Sequence, residues 1–381
     1  MSTVVSAERR AIIQTVREFC DAEIRPHVMR WDEAQEFPRE VFRKLGELGF
    51  LGVLVAEEYG GAALSYMDYQ AIIEEIAAAD PSVALSVAAH NSLGSGHIHQ
   101  FGTDAQKRRY LPRLASGEGL AAWGLTEAEA GSDSSGTKTT AVRDGDAWVL
   151  NGSKNFITNA SVGSLAVLMA VTDREKGNKG ISAFIVELDN PGIRVGKKEN
   201  KLGMRASDTC TLVMEDCRVP SGNLIGSLGS GWVDSMKVLD GGRISIAALS
   251  VGLARGACEA AVLYARERRQ FGKPICEFEA IQFYIAEMAT DLDAARLLTE
   301  RAAAAKDAHE PVTRLSAQAK LFASEAAVRV TERAIQIHGG YGFTKDFPVE
   351  KYYRDVRLCT VGEGTSEIQK LVIARQLLGK A

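Results

Sequence analysis

No cysteine pair in this chain has the C-x-x-C spacing, and none of its six cysteines falls in a His/Cys cluster. Zinc ribbons and dithiol redox centres are therefore excluded, and free thiols in a reducing compartment are expected. Excess charge is missing too: 45 Lys and Arg stand against 49 Asp and Glu, a net charge of -4. No basic field invites nucleic acid or an anionic membrane. No unbroken apolar run approaches the ~20 residues that a membrane-spanning helix needs. Residues 1–10 are followed by no apolar h-region, so neither a signal nor a transit peptide is expected, and the expected location is cytoplasmic. His97-x-His99 is a close histidine pair, but rings two residues apart on a helix diverge, so no metal site is expected. No G-x-G-x-x-G opens a strand–helix unit, which argues against a Rossmann dinucleotide site. There is no low-complexity segment and no internal repeat.

What is present is an ordinary globular composition, 46% hydrophobic and 25% charged over 381 residues, a length that suits two or three domains. Residues 1–120 read as an N-terminal α-helical domain. Ile12, Ile13, Val16, Phe19 and Cys20 form one apolar stripe at helical spacing, and Val41, Leu45 and Leu48, closed by Gly49, form another. Asp80-Pro81 opens a further helix, Thr103 or Asp104 caps the next, and Pro112 is expected to limit it. Residues 121–230 read as a β domain. Asp144-Gly145 and Asn151-Gly152 are hairpin signals, and 164–172 and 181–188 are rich in β-branched residues. Pro191-Gly192 and Val219-Pro220 mark turns. Residues 231–381 are helical again, with long segments at 231–268, 278–307, 312–338 and 366–378 that suggest a bundle. Ser366 and Gln369 match a capping box, and a cationic His338 would suit its helix end.

Three segments carry chemistry. Near the C-terminus, Val361-Gly362-Glu363-Gly364-Thr365-Ser366-Glu367-Ile368-Gln369 places a carboxylate between two glycines. Such a turn bends closely around a ligand, and the glutamate is a candidate base. A solvated surface Glu is the plainer reading of that stretch alone. The second segment runs from Gly124 through Thr126, Gly131 and Ser132 to Gly136. The third is Gln336-Ile337-His338-Gly339-Gly340-Tyr341-Gly342-Phe343, continuing to Asp346, Lys351 and Asp355. In this order and at these separations, the three together resemble the acyl-CoA dehydrogenase flavoenzymes over essentially the whole chain.

The resemblance implies an α+β multidomain fold: an N-terminal α-domain, a central β-barrel and a C-terminal four-helix bundle. It also implies FAD. Trp123, Leu125, Thr126, Gly131 and Ser132 match the segment around the isoalloxazine ring. Phe156-Ile157-Thr158 matches its cover, with Phe156 where the family commonly has Trp and Thr158 as the hydroxyl near flavin N5. Thr365 and Glu367 match further cofactor contacts. Arg268 and Phe271 resemble the motif reaching the FAD of a neighbouring subunit, which would also meet Gln336, Gly339 and Gly340. A shared site implies an oligomer, in the family usually a homotetramer. Glu279 departs from the Gln often found in that region.

By the same resemblance, Glu363 takes the α-proton of an acyl-CoA thioester while the β-hydride goes to flavin N5, giving a trans-2-enoyl-CoA. The developing enolate needs donors at the carbonyl oxygen, and the Glu363 N–H is one match. Some family members carry the base at the position of Gly242, where this chain has no carboxylate. Ser132, Asp240, Arg243 and Gly364 match substrate-side residues. Burial would raise the Glu363 pKa and the nearby helix start would lower it. The Leu239–Ile244 and Gly364–Gln369 stretches look closest to the short-chain, butyryl-CoA branch. Gly362, where many members have Tyr, also admits a branched, isovaleryl-type acyl group. His90 near the expected pocket floor is unusual and reads as facing away. Electron-transfer flavoprotein is the implied acceptor. A flavin oxidase or monooxygenase on the same fold is a competing reading, separated by the oxygen reactivity of the reduced protein. A non-catalytic assembly protein would be expected to lose the base, and a plain helical scaffold would be colourless.

Overall fold

The computed structural model describes residues 6–379. Seven helices come first: α1 (Ala7–Phe19), α2 (Val28–Ala34), α3 (Arg39–Glu47), α4 (Tyr66–Ala79), α5 (Pro81–Ala88), α6 (Ser95–Phe101) and α7 (Asp104–Ala115). Their starts are set by local chemistry. Ser65 and Asp68 form a reciprocal capping box on α4, Asp80 accepts the Ser82 N–H ahead of Pro81, and Thr103 with Gln106 boxes α7. From Tyr69 to Ala79, α4 is buried on every side.

Eight strands follow: β1 (Ala121–Gly124), β2 (Thr140–Asp144), β3 (Ala147–Thr158), β4 (Leu165–Val171), β5 (Ile181–Glu187), β6 (Ile193–Lys198), β7 (Thr209–Pro220) and β8 (Leu224–Ile225). They make one sheet in the order β6-β7-β3-β2-β4-β5-β8, with β1 parallel against β4. β4 and β5 are buried over most of their length, as their near-continuous apolar runs require.

The remaining chain is α8 (Gly231–Glu267), the short ribbon β9 (Arg269–Gln270) with β10 (Lys273–Pro274), then α9 (Glu279–Asp307), α10 (Thr313–His338), α11 (Val349–Val361) and α12 (Ser366–Leu378). α8 is the spine. It packs on α10, α4, α9 and α11, and Gly252 brings it so near α4 that a Cβ there would lie 2.2 Å from the Glu74 carbonyl oxygen. By length and hydropathy α8 would reach across a bilayer, but 67% of its most apolar window is buried inside the protein.

A buried cluster ties the regions together. The Lys351 ammonium on α11 bonds Asp80 at 2.8 Å and Asp355 at 2.6 Å, and Asp355 accepts the Met204 N–H at 2.6 Å. Burial works against the charge on Lys351, but the two carboxylates outweigh it and raise its pKa.

Several local expectations are corrected. Asn151-Gly152 is no hairpin turn: it lies inside β3 at a bulge against β7, where Gly152 (φ 145°) presses on Thr139. Pro112 lies within α7, whose last turn runs on to Ala115 while Leu111 and Leu114 are buried. Leu48 is 44% exposed and lies just beyond α3. The α12 cap is Thr365, which accepts the Ile368 N–H, while the Ser366 hydroxyl turns to Glu325. α11 was absent from the expected helices. His338 is no helix-end cation: burial lowers its pKa, and its ring stacks on Tyr264 at 4.2 Å.

Candidate active site

The main cavity, about 1130 Å³, is mostly apolar and lies where the sheet meets α8, α11 and α12. At its wall, α11 ends and the chain turns into α12. Glu363 is held there at φ 51°, a left-handed conformation uncommon for a residue with a side chain. The turn is pinned from below. Gln369 Nε2 donates to the Glu363 and Gly364 carbonyls at 3.3 and 3.0 Å, and Lys320 Nζ donates to the Gly364 carbonyl at 2.7 Å. The Glu363 N–H bonds no described residue.

The Glu363 carboxylate leans on α8. A Cβ at Gly242 would sit 2.1 Å from Glu363 Oε2, so only glycine leaves room for it. Oε2 is shut off from solvent without a hydrogen-bond partner. Burial pushes the Glu363 pKa up to about 7, with Lys320 and Arg243 pulling the other way. A carboxyl balanced near neutrality on the wall of a cavity is suited to proton abstraction.

Arg243 is buried in the cavity wall. It pairs through Nη1 with Asp240 at 2.7 Å and leaves Nε unbonded. Asp240 stands behind it, outside the cavity lining, and also accepts from the Thr313 hydroxyl at 2.6 Å. Of the predicted residues, Trp123, Leu125, Thr126, Gly131, Ser132, Phe156, Ile157, Thr158, Glu363, Gly364 and Thr365 all line this cavity with Arg243. The hydroxyls of Thr126, Ser132 and Thr158 donate to no described residue. Phe156 is 63% exposed at φ 60°, at the second bulge of β3. Glu367 is exposed and does not line the cavity.

A second hollow of about 450 Å³ gathers Arg268, Gly339 and Gly340 with His338 and Tyr341. Gln336 is exposed beside it, and Phe271, at the tip of the β9–β10 ribbon, is 93% exposed. The predicted residues thus fall into two separate groups on one chain.

Some contributors were not foreseen. Lys154, fully buried on β3, bonds Glu127 at 2.6 Å, and Glu127 accepts the N–H groups of Lys138 and Thr139, which shapes the loop from Leu125 to Thr139. Lys154 stands in inward phase with Leu150, which is the signal the sequence offered. Trp123 donates its indole N–H to His97 Nδ1 at 3.0 Å. Burial lowers the pKa of His97 to about 3, so the ring is neutral. His90 is buried and faces away from the cavity. It bonds the Leu51 carbonyl and accepts the Ala121 N–H. Among the described residues no group of three His, Cys, Asp or Glu is arranged to hold a metal.

Three family models match in sequence order: the acyl-CoA dehydrogenase N-terminal domain over residues 6–118, the middle domain over 122–217 and the C-terminal domain over 229–378. The chain belongs to the acyl-CoA dehydrogenase family. It is accordingly an oxidoreductase acting on acyl-CoA, in a family that depends on flavin. It is 47% identical to the probable acyl-CoA dehydrogenase YngJ of Bacillus subtilis (99% of this chain, 100% of that one). It is 45% identical to the short-chain specific acyl-CoA dehydrogenase of Clostridium acetobutylicum (98% of each). The solved butyryl-CoA dehydrogenase of Megasphaera elsdenii superposes with a TM-score of 0.98 at 40% identity, over 99% of this chain and 100% of that one.

Proposed function

We propose that the protein oxidises a short-chain acyl-CoA thioester to the trans-2-enoyl-CoA, with Glu363 as the base that takes the α-proton. One observation carries the reading: a carboxylate with one oxygen buried and unbonded faces a large apolar cavity from a turn anchored on three helices. Its pKa of about 7 lets it accept a proton and release it again near neutrality. The Glu363 N–H, bonded to no described residue, would stabilise charge growing on the thioester oxygen. Arg243 and Ser132 would line the substrate side.

The residues present fit FAD. The cavity is large, and Thr126, Ser132 and Thr158, whose hydroxyls donate to no described residue, line it together with the aromatic Trp123 and Phe156. When bound there, FAD supplies an acceptor for the β-hydride at N5. The protein's own part is to orient the thioester, exclude water and hold the α-proton on Glu363. Arg268, Phe271, Gln336, Gly339 and Gly340 lie apart from the main cavity, which supports a cofactor site completed by a second copy of the chain, as in a homotetramer. Residues 1–120, 121–230 and 231–381 are the proposed domains, and electron-transfer flavoprotein is the proposed acceptor.

An isovaleryl-type substrate is the second reading, favoured by Gly362, which leaves the cavity wall beside the base without a side chain. Anaerobic titration of the yellow protein with butyryl-, isovaleryl- and octanoyl-CoA separates the readings by which thioester bleaches the flavin fastest. Glu363→Gln should stay yellow and lose flavin reduction almost completely, because the change removes a group used in the chemical step. Normal turnover in that variant would refute the base assignment, and a colourless wild-type protein would refute the flavin.

A further inference from the structure

Lys320 is fully buried on α10, in phase with the buried Ser316, Ala317, Ala323, Ser324 and Ala327. Its ammonium has three N–H donors, yet its hydrogen bond in the structure is to one neutral acceptor, the Gly364 carbonyl. Among the described residues no carboxylate pairs with it directly. A buried cation placed this way needs charge nearby to offset its lost hydration.

We propose that Lys320 is a positioning residue for the reaction: from α10 it clamps the turn that carries Glu363, and it supplies the cation that faces the Glu363 carboxylate. The proposal rests on Glu363 being the base. The surroundings support it. Glu363 is faced by Arg243 from α8, Lys320 from α10 and the Tyr69 phenol from α4. Arg243 already bonds Asp240. Lys320 is faced by Cys359 from α11, Arg243 from α8, Glu325 on its own helix and the exposed Glu367 from α12. Glu325 is engaged by the Ser366 hydroxyl, and burial raises the Cys359 thiol to about 11, which leaves it neutral. Of the carboxylates around Lys320, Glu363 acts on it more strongly than Glu325, and Glu367 is exposed to solvent. Burial lowers the pKa of Lys320 to about 8, so at neutral pH it is still the charged partner.

The test uses Lys320→Met, Lys320→Gln and Lys320→Arg in the FAD-loaded protein. Flavin content and visible spectrum are recorded first, then the limiting rate of flavin reduction by butyryl-CoA against pH. With Met or Gln the flavin should be retained, and the acid limb should move up by about one pH unit, as loss of a nearby opposite charge requires. On the acid side this is a roughly tenfold slower reduction. Lys320→Arg, which keeps the charge, should restore the acid limb. A merely structural lysine would change melting or flavin content and leave that limb where it was. An unmoved limb in the Gln variant overturns the proposal, as does an Arg variant shifted as far as Gln. If Met fails to fold, the Gln and Arg pair decides. Glu363→Gln is run alongside. If it still reduces flavin, the base reading has failed; if it is inert while the Lys320 variants behave as wild type, only the Lys320 inference has failed.

Discussion

Gly242→Ala tests how the base is seated. The new methyl would lie 2.1 Å from Glu363 Oε2, whereas ordinary contact begins at 3.4 Å. The carboxylate must therefore move by about 1 Å, since 3.0 Å is the nearest approach a Cβ tolerates and 3.4 Å restores ordinary contact. The other close atom, Leu93 Cδ2 at 3.0 Å, is also the end of a side chain. Both can give way, so the fold should survive. Inside α8 the Gly-to-Ala change itself favours the helix by about 1 kcal/mol. Misplacing a reacting group by about 1 Å can cost on the order of 100-fold in rate. The expected outcome is a yellow protein with an unchanged or slightly higher melting temperature, and flavin reduction by butyryl-CoA slowed roughly 100-fold. Stopped-flow absorbance under anaerobic conditions reads the rate, and thermal unfolding reads the stability. Wild-type reduction in a folded Gly242→Ala protein would mean that the carboxylate does its work from another position, and the seating inferred from Oε2 would be wrong.

The pH dependence follows from the Glu363 pKa of about 7 against its ordinary 4.5. The rate of flavin reduction should fall as pH drops through 7, because the base becomes protonated. Stability moves the other way. Between 4.5 and 7 the folded state holds a proton that the unfolded state has lost, so stability declines as pH rises through that window. The loss amounts to ~3 kcal/mol at most, less where water enters the cavity. Glu363→Gln should therefore melt higher than wild type at about pH 8 and match it at about pH 3.5, below both values of the pKa; equal melting at both would contradict the burial of that carboxylate. Lys351→Met should destabilise by about 3–5 kcal/mol, since it leaves Asp80 and Asp355 buried together without their cation. A denaturant midpoint within error of wild type would sink that claim.

The helix–strand–helix order was legible because hydrophobic period and turn residues report local structure directly. Glu363 stood out less by its two flanking glycines, which a solvated turn explains as plainly, than by the two other segments that accompany it in order. α11 escaped for a physical reason. Glu350, Lys351, Arg354, Asp355 and Arg357 look like a solvent-facing charge run, yet Lys351 and Asp355 are buried against each other and Asp80. Asn151-Gly152 misled because a hairpin signal is local, while register with β7 is not. Gly242 was noticed as a missing carboxylate. Its use is the reverse: it is the space into which another residue's carboxylate fits. A vacancy of that kind leaves no mark in one sequence. Lys320 left a faint one, a lysine in phase with a row of buried small residues.

At Glu363 the chain breaks several local rules together. A side-chain-bearing residue is left-handed, a carboxylate oxygen is buried without a partner, and a lysine below it bonds a neutral carbonyl. Each feature is unfavourable by itself, on the order of 1–3 kcal/mol. They persist because the neighbours over-determine the turn: Thr365 caps α12, Gln369 holds two carbonyls, Lys320 holds one of the same two from α10, and Gly242 leaves space on α8. Relieving any one feature should make the protein easier to fold and worse at moving a proton. That opposition of stability and activity is expected where strain has been retained for use, and the Glu363→Gln and Gly242→Ala variants measure its two sides separately.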